Sequence, residues 1–466
     1  MTRRSFLLIA VLVGLAARAT AAPAADPAKG KADEFFGLTK VYTLHLTIAA
    51  ADFQKMPPPS GRGGRGFRPF MDDSGYPKVP AHLEFEGKDW GEITVRYKGN
   101  SSFRSAPTEL KRSLKLDFDT SDKGPRFFGL SKLNLNNNAF DSSQMREALG
   151  YDVFRRAGVP APRTAFAKVF VTVPGTYTHE YAGLFTVIEE IDQTFFKERW
   201  GSKVGVLVKP EGLRGMPYLD TTWAAYGRPY GEKGTAKPED AARFMAFVKF
   251  LNQASDEEFA RGIGDYLDVE EFLHFLAAEV VLVNTDSPLA MNHNYWVTIH
   301  PETKKVVWLP WDLNMAFGGF MSGDYNLSIY QASAKGVFPL ADRLLANKDV
   351  ADRYHQILRQ MATSNFTVNR LGTEMAAIAT AIRAAVAADG TLSLTNFERN
   401  LADDPFAIPD AGGSAGFFGR GRNGPPLKAF VSGRVESVIE QLDGKRAGTP
   451  GRSGRGGFGG GPQFPQ

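Results

Sequence analysis

Apolar and polar residues alternate from Val41 to Ile48, with Tyr42, Leu44, Leu46 and Ile48 on one face. A period of two predicts a strand. Ile93–Lys98, Leu114–Phe118, Lys132–Leu135, Ala167–Val173 and Ala182–Ile188 read the same way. The pattern then changes. Phe272, Phe275, Leu276, Val280 and Val283 recur at helical spacing, and Asp268 with Glu271 has the spacing of a capping box. Together they predict a helix over Asp268–Asn284. Ser143–Ala157, stopped by Gly158 and Pro160, is a further predicted helix, as are Leu340–Leu345, Asp349–Thr363, Val368–Ala388 and Leu427–Leu442. Strands first and helices after them predict an α+β chain, a sheet-rich lobe followed by a helical lobe.

Three stretches follow neither period. Pro57–Gly66 and Gly412–Pro426 are rich in Pro, Gly and Arg and read as insertions. Residues 444–466 carry Lys445, Arg446, Arg452 and Arg455 and no acid. Arg-Gly segments of this kind can bind RNA, but a solvated, disordered tail is the simpler reading. At the other end, Arg3 and Arg4 precede an apolar run from Phe6 to Ala17, and Ala19-Thr20-Ala21 has the form of a cleavage site. That order predicts an export signal over residues 1–21. Thr2-Arg3-Arg4-Ser5-Phe6-Leu7-Leu8 also has the form of a twin-arginine signal. No later run reaches about 18 uninterrupted apolar residues. The expectation is a soluble exported protein with no transmembrane anchor once the signal is removed.

Composition narrows the chemistry. The 466 residues hold 55 Lys+Arg against 51 Asp+Glu, a net charge of +4. Three of those arginines, Arg3, Arg4 and Arg18, lie in the predicted signal, so the remaining chain is almost neutral and makes no case for a specific nucleic-acid partner. Cysteine is absent, which excludes disulfides, thiolate metal sites, Fe–S clusters and a cysteine nucleophile. An exported chain without cysteine points to a bacterial source.

The candidate chemistry gathers between residues 284 and 318. Asn284-Thr285-Asp286 leaves the predicted helix, and His293-Asn294-Tyr295-Trp296 enters a strand. After a turn at His300–Thr303, Val306-Val307-Trp308-Leu309-Pro310 leads into Trp311-Asp312-Leu313-Asn314. Asp286 and Asp312 therefore flank a two-stranded ribbon. Carboxylate and amide oxygens are hard ligands that suit Mg²⁺. One carboxylate on a metal and another on an attacking hydroxyl are the parts a phosphoryl transfer requires. A lone Asp after a helix is more simply a cap, but two of them around Asn294 within apolar strands favour a site. In the sheet-rich half, Arg96-Tyr97-Lys98-Gly99-Asn100-Ser101-Ser102 runs from a strand into a small-residue turn whose N–H groups can face an anion. It lacks the spacing of a phosphate-binding Walker loop. Lys115 lies between Leu114 and Leu116 and points away from them, either to solvent or into a cleft beside Glu147.

These residues carry a resemblance. The chain resembles the CotH family, spore-coat-type atypical kinases with a protein-kinase-like fold. The match runs through Tyr97–Ser102, Lys111–Leu116, Leu133–Asn137, Met145–Leu149, Gly183–Asp192, Asn284-Thr285-Asp286, His293-Asn294-Tyr295, Trp311-Asp312-Leu313-Asn314 with Phe317-Gly318, and Arg434 on the last helix. The resemblance implies one two-lobed domain over 38–443, divided into about 38–192 and 193–443. It implies a kinase that moves the γ-phosphate of ATP to a Ser or Thr of a protein substrate with Mg²⁺. Asp286 matches the catalytic aspartate, Asp312 the metal-binding aspartate, and Asn294, with Asn292 as the alternative, the second metal ligand. Lys98 and Lys115 match phosphate contacts, with Lys115 paired to Glu147, and Glu189 to Ile191 the hinge beside the adenine. Lys98 stands where the family has arginine, which keeps the charge and loses the two-pronged fork. Asn314 stands where a second Asp is common. A kinase-like scaffold without activity at a surface or envelope, and an AMP-transferring enzyme on the same fold, remain alternatives. With the signal, the expected location is periplasmic, cell-surface or extracellular.

Overall fold

The computed structural model describes residues 30–58, 75–118, 126–320, 324–404, 408 and 424–451. The predicted export signal, most of the two Gly-rich insertions and the chain from 452 onward lie outside the described residues.

Strands β1 (Val41–Thr47), β2 (Val79–Phe85), β3 (Lys88–Tyr97), β4 (Leu114–Asp117), β5 (Lys132–Asn136), β6 (Thr164–Val173) and β7 (Tyr177–Glu189) form one sheet. It runs in the order β1-β2-β3-β4-β5-β7-β6 and closes on itself. The closing pair, β1 with β6, is parallel, and the other pairs are antiparallel. Alternation decides which side chains go inside. Leu44 and Leu46, Leu83 and Phe85, Val95, Leu116, Leu133 and Val187 fill the closed sheet, and Phe35, Phe118, Phe127 and Phe128 join them in one core. β2 escapes a periodic reading because Pro80 interrupts it, yet Val79, Ala81, Leu83 and Phe85 are all buried.

The helical half packs round a second, larger core. A three-stranded antiparallel sheet of β8 (Leu207–Val208), β9 (Tyr295–Ile299) and β10 (Val306–Pro310) lies within it. Helices Pro238–Gln253 and Val269–Val281 pack on that sheet, and Asp256–Tyr266, Lys348–Gln360, Val368–Ala388, Thr391–Leu401 and Leu427–Leu442 complete the helical part. The chain is thus α+β, with a seven-stranded sheet first and a helical part after it. Val368–Ala388 is long and apolar enough to cross a membrane. Its Leu371, Met375, Ile378 and Ile382 nevertheless form a stripe that packs into the larger core.

Three boundaries differ from the sequence reading for physical reasons. The helix expected from Ser143 begins at Arg146, because Asp141 holds the preceding turn: its carboxylate accepts from Ser143 N (2.9 Å) and Arg146 N (2.8 Å). The helix expected to reach Asn284 stops at Val281. Val283 turns left-handed (φ 46°), and Asn284 N donates back to Glu279 O (3.0 Å). Asp268 does cap that helix by accepting from Glu271 N (3.2 Å), but the reciprocal capping box belongs to Ser255 and Glu258, one helix earlier. The tail expected from 444 is also not free over its first residues: Thr449 N donates to Asn326 O (2.7 Å), and Ser328 N to Thr449 O (2.7 Å).

Candidate functional site

The site is assembled from four parts of the chain. Asp286 follows the Val269–Val281 helix, Asn294 precedes β9, Asp312 follows β10, and Lys98, Asn136 and Glu147 come from the barrel side. Helix Arg146–Arg156 meets the turn at Leu313–Met315 at Gly150, where a Cβ would come within 3.1 Å of Leu313. A larger residue there would press on the Leu313 side chain. Tyr151, one residue on, accepts a bond from Asp312 N (3.0 Å) through its hydroxyl. One helix turn therefore sets the position of Asp312 relative to Glu147.

Asp286 is held from two sides. His293 Nε2 donates to its Oδ1 (2.7 Å), and Asn294 Nδ2 donates to its backbone oxygen (2.8 Å) and to Oδ2 (3.2 Å). Since an ionised carboxylate only accepts, Nε2 carries the proton. Burial alone would lower the His293 pKa; the Asp286 carboxylate overrides it and holds the imidazole above its usual range. Asn292, Asn294 and Asp312 all adopt left-handed backbone (φ 54°, 59° and 54°). Strained backbone of this kind persists only where surrounding contacts over-determine it. Trp311 N, next to Asp312, donates to Asn294 O (3.1 Å) and ties the two loops together.

The barrel contributes a relay. Lys98 Nζ donates to Asn136 Oδ1 (2.7 Å), and Asn136 Nδ2 donates to both Glu147 oxygens (2.9 and 3.1 Å). Lys98 also sits 5.5 Å from the Trp311 ring centre. Burial pushes the Glu147 carboxyl up to about 8, and the charge of Asp312 adds to it. Burial likewise raises Asp312; Lys98 opposes that shift and Asp286 reinforces it. Lys209 and His293 also act on Asp312, and Glu211 acts on His293. Two buried acids and Asp286 thus share one small, electrostatically crowded space.

Among the described residues no group of three or more His, Asp or Glu is arranged as a metal-ligand cluster. The donors present are the Asp312 carboxylate and the Asn294 amide oxygen, whose Nδ2 is spent on Asp286. That set fits Mg²⁺, which takes one or two protein oxygens and fills its remaining positions with water and substrate phosphates. Burial raises Asp312 and the charge of Asp286 adds to it; a divalent cation would offset both.

The sequence-predicted residues divide. Asp286, Asn294, Asp312, Lys98 and Glu147 come together. Lys115 does not pair with Glu147 as expected; it pairs with Glu190, which also accepts from Asn134 Nδ2 (2.7 Å). Glu190 is lowered: burial would raise it, and the Lys115 charge wins. Glu189 does not border the cluster either. It is buried against Arg163 (Nε to Oε2, 3.1 Å) and Arg199 (Nη2 to Oε2, 2.7 Å), while Glu190, just past the end of β7, takes the side of Lys115 and Lys98. Ile191 is 1% exposed and packs in the larger core, so its side chain faces no open site. His293, Asn136, Lys209 and Glu211 were not assigned from sequence. His293 had a visible signal, an imidazole beside Asn294; Asn136 becomes meaningful only through strand register.

An α+β protein with carboxylates, an amide and a lysine gathered beneath a closed sheet is the class these features define. The family model described as CotH kinase protein matches residues 95–400, and the chain belongs to that family. It is also 23% identical over 316 residues to the inner spore coat protein H of Bacillus subtilis (strain 168), covering 67% of this chain and 82% of that protein.

Proposed function

We propose that this protein is an exported, two-lobed kinase that transfers the γ-phosphate of ATP to a hydroxyl of a protein substrate. The observation that carries the proposal is the junction of the Asp286–His293–Asn294 loop with Asp312 and the Lys98–Asn136–Glu147 relay. Family membership supports the reaction class. Asp286 orients the acceptor hydroxyl, and the His293 imidazole fixes its carboxylate so that one edge faces the acceptor. Lys98, rather than Lys115, contacts the phosphates, since Lys115 is engaged by Glu190. Asp312 and Asn294 hold Mg²⁺, which when bound draws charge from the phosphate oxygens. Glu147 keeps Lys98 in place through Asn136. The relative named for the spore coat supports work at a surface, and the residues at 1–21 support export.

Incubation of the mature protein with Mg²⁺ and ATP labelled at either the α- or the γ-phosphate tests the reading. A γ-labelled protein product is expected. An α-labelled product would replace the proposal with AMP transfer, and bound nucleotide without transfer to any acceptor would replace it with an inactive scaffold. Mass spectrometry of the native protein should find an N-terminus near Ala22; an intact Met1 would remove export.

A further inference from the structure

Asp286 sits on a loop that is tied, before and after it, to one buried carboxyl. Glu279, two residues before the end of helix Val269–Val281, is fully buried, as are Asn284 and Ser287 on either side of Asp286. Asn284 N donates to Glu279 O (3.0 Å), and Asn284 Nδ2 donates to Glu279 Oε2 (2.8 Å). Ser287 Oγ then donates to Asn284 O (2.5 Å), and Ser287 O accepts from Met291 N (2.9 Å) and Asn292 N (3.2 Å). A continuous path therefore runs from Glu279 past both sides of Asp286 to the turn that delivers His293 and Asn294.

This network is short of one proton. Among the described residues, neither Glu279 Oε1 nor Asn284 Oδ1 has a hydrogen-bond partner. With Glu279 ionised both atoms are acceptors, and buried acceptors left unpaired are costly. Ser287 does not supply the missing donor, because its one hydroxyl proton goes to Asn284 O. A single proton on Glu279 Oε1 removes the fault. A carboxylic acid beside a primary amide can exchange two bonds, N–H to one oxygen and O–H from the other. The first bond is present, and the second would join the two unpartnered atoms. The buried titratable groups on the elements packed against this helix are Arg146, Glu147 and Tyr151 of Arg146–Arg156, Tyr354 of Lys348–Gln360 and Arg434 of Leu427–Leu442. Arg434, whose Nη2 donates to Val280 O (2.8 Å), is spent on the backbone one residue on. What acts on the Glu279 carboxyl is burial, which pushes it up to about 8 against the pull of Asn284 and Ser287.

We infer that Glu279 is held as a neutral acid that donates to Asn284 Oδ1, and that this acid–amide pair is the positioning device for Asp286. An ionised Glu279 would set two acceptors against each other and loosen the loop at Asn284. The positioning half of the inference rests on the role proposed above for Asp286; the protonation half does not.

Infrared difference spectra between wild type and Glu279→Gln, taken on the whole protein, read the proton. Near pH 6 wild type should show the carbonyl stretch of a protonated acid that Glu279→Gln lacks, and the band should fade as pH rises through about 8. No such band in wild type overturns the neutral acid. Loop position is read from the His293 Nε2 proton, which its bond to the Asp286 carboxylate moves downfield in NMR spectra and which His293→Gln identifies. Glu279→Gln offers an amide that donates and accepts as the acid does, so it should keep this signal and a turnover close to wild type. Glu279→Leu removes both bonds and should displace the signal, with turnover lower by roughly tenfold to a hundredfold and nucleotide affinity little changed. Thermal melts show whether Glu279→Leu folds; if it does not, Glu279→Asp, one methylene shorter, carries the test. An undisplaced His293 signal in the folded variant overturns the positioning role. The infrared and NMR readouts require no phosphotransfer, so this inference and the kinase reading can fail separately.

Discussion

Asp286 accepts from His293 and Asn294, so an amide in its place would face two donors it can satisfy only in part. Asp286→Asn keeps size and removes charge. In the proposed reaction the carboxylate touches the acceptor and not the nucleotide, so turnover should fall by about 10²–10⁴-fold while nucleotide affinity changes little. A phosphotransfer assay and a binding isotherm on the same protein check this; an unchanged rate in a folded variant removes Asp286 from the mechanism. A second residue tests linkage. Glu279 is fully buried, bonded by Asn284 Nδ2 (2.8 Å), and burial lifts its carboxyl to about 8. The folded protein therefore binds a proton there between pH ~4.5 and ~8 that the unfolded chain releases, so stability is lost as pH rises through that window. Glu279→Gln removes the titration. Its melting temperature should match wild type near pH 5 and exceed it near pH 9, and parallel curves would show that Glu279 stays charged. Residue-level chemistry was partly legible. Asp286, Asn294 and Asp312 stand in apolar surroundings that make them conspicuous. Lys98 and Lys115 share one sheet face, and only the register across Asn136 decides which of them reaches Glu147.

Elements were legible where their period was undisturbed. Val368–Ala388 and Leu427–Leu442 match their predicted bounds, since each keeps a continuous buried stripe. Pro238–Gln253, Asp256–Tyr266 and Thr391–Leu401 went unread, although Pro238 at the start of one and Ser255 before another are ordinary start signals. What joins elements was not legible at all. Lys111 Nζ donates to Leu184 O of β7 (2.8 Å) and to Asp389 at the end of Val368–Ala388, and Asp389 Oδ1 accepts from Leu184 N (3.1 Å). The partners lie 278 residues apart. Burial lowers the Lys111 pKa and the Asp389 charge opposes that shift. Asp389→Ala would leave a buried lysine unpaired and should cost about 3–5 kcal/mol in chemical denaturation. Replacing both partners, as Lys111→Met with Asp389→Leu, should recover most of that loss. If the single and double variants are equally unstable, the junction is held by packing and not by the ion pair.

At the scale of the whole molecule, the barrel and the helical part have separate cores, yet the site takes residues from both. Lys98 and Asn136 belong to strand ends of the barrel, Glu147 to the helix behind it, and Asp286, Asn294 and Asp312 to loops of the helical part. A ligand that engages Lys98 and Asp312 together binds only when both parts are folded and docked, so it stabilises the molecule as a unit. At a free concentration of 100 times Kd that stabilisation is about 2.7 kcal/mol. A chain of this length gains roughly 1–2 °C per kcal/mol, by extension of the values for smaller domains, so Mg-ATP should raise the melting temperature by about 3–5 °C. Burial raises Asp312 and the charge of Asp286 adds to it, so a bound cation would favour the ionised carboxylate and make the effect depend on metal. ATP with EDTA should therefore give a smaller shift than Mg-ATP, and Asp312→Asn should remove the difference between them. In the proposed reading Lys98 is the barrel's contact with the phosphates, so Lys98→Met should reduce both shifts. Equal shifts in wild type and Asp312→Asn would locate the metal elsewhere. A full Mg-ATP shift in Lys98→Met would mean that the nucleotide does not bridge the two parts.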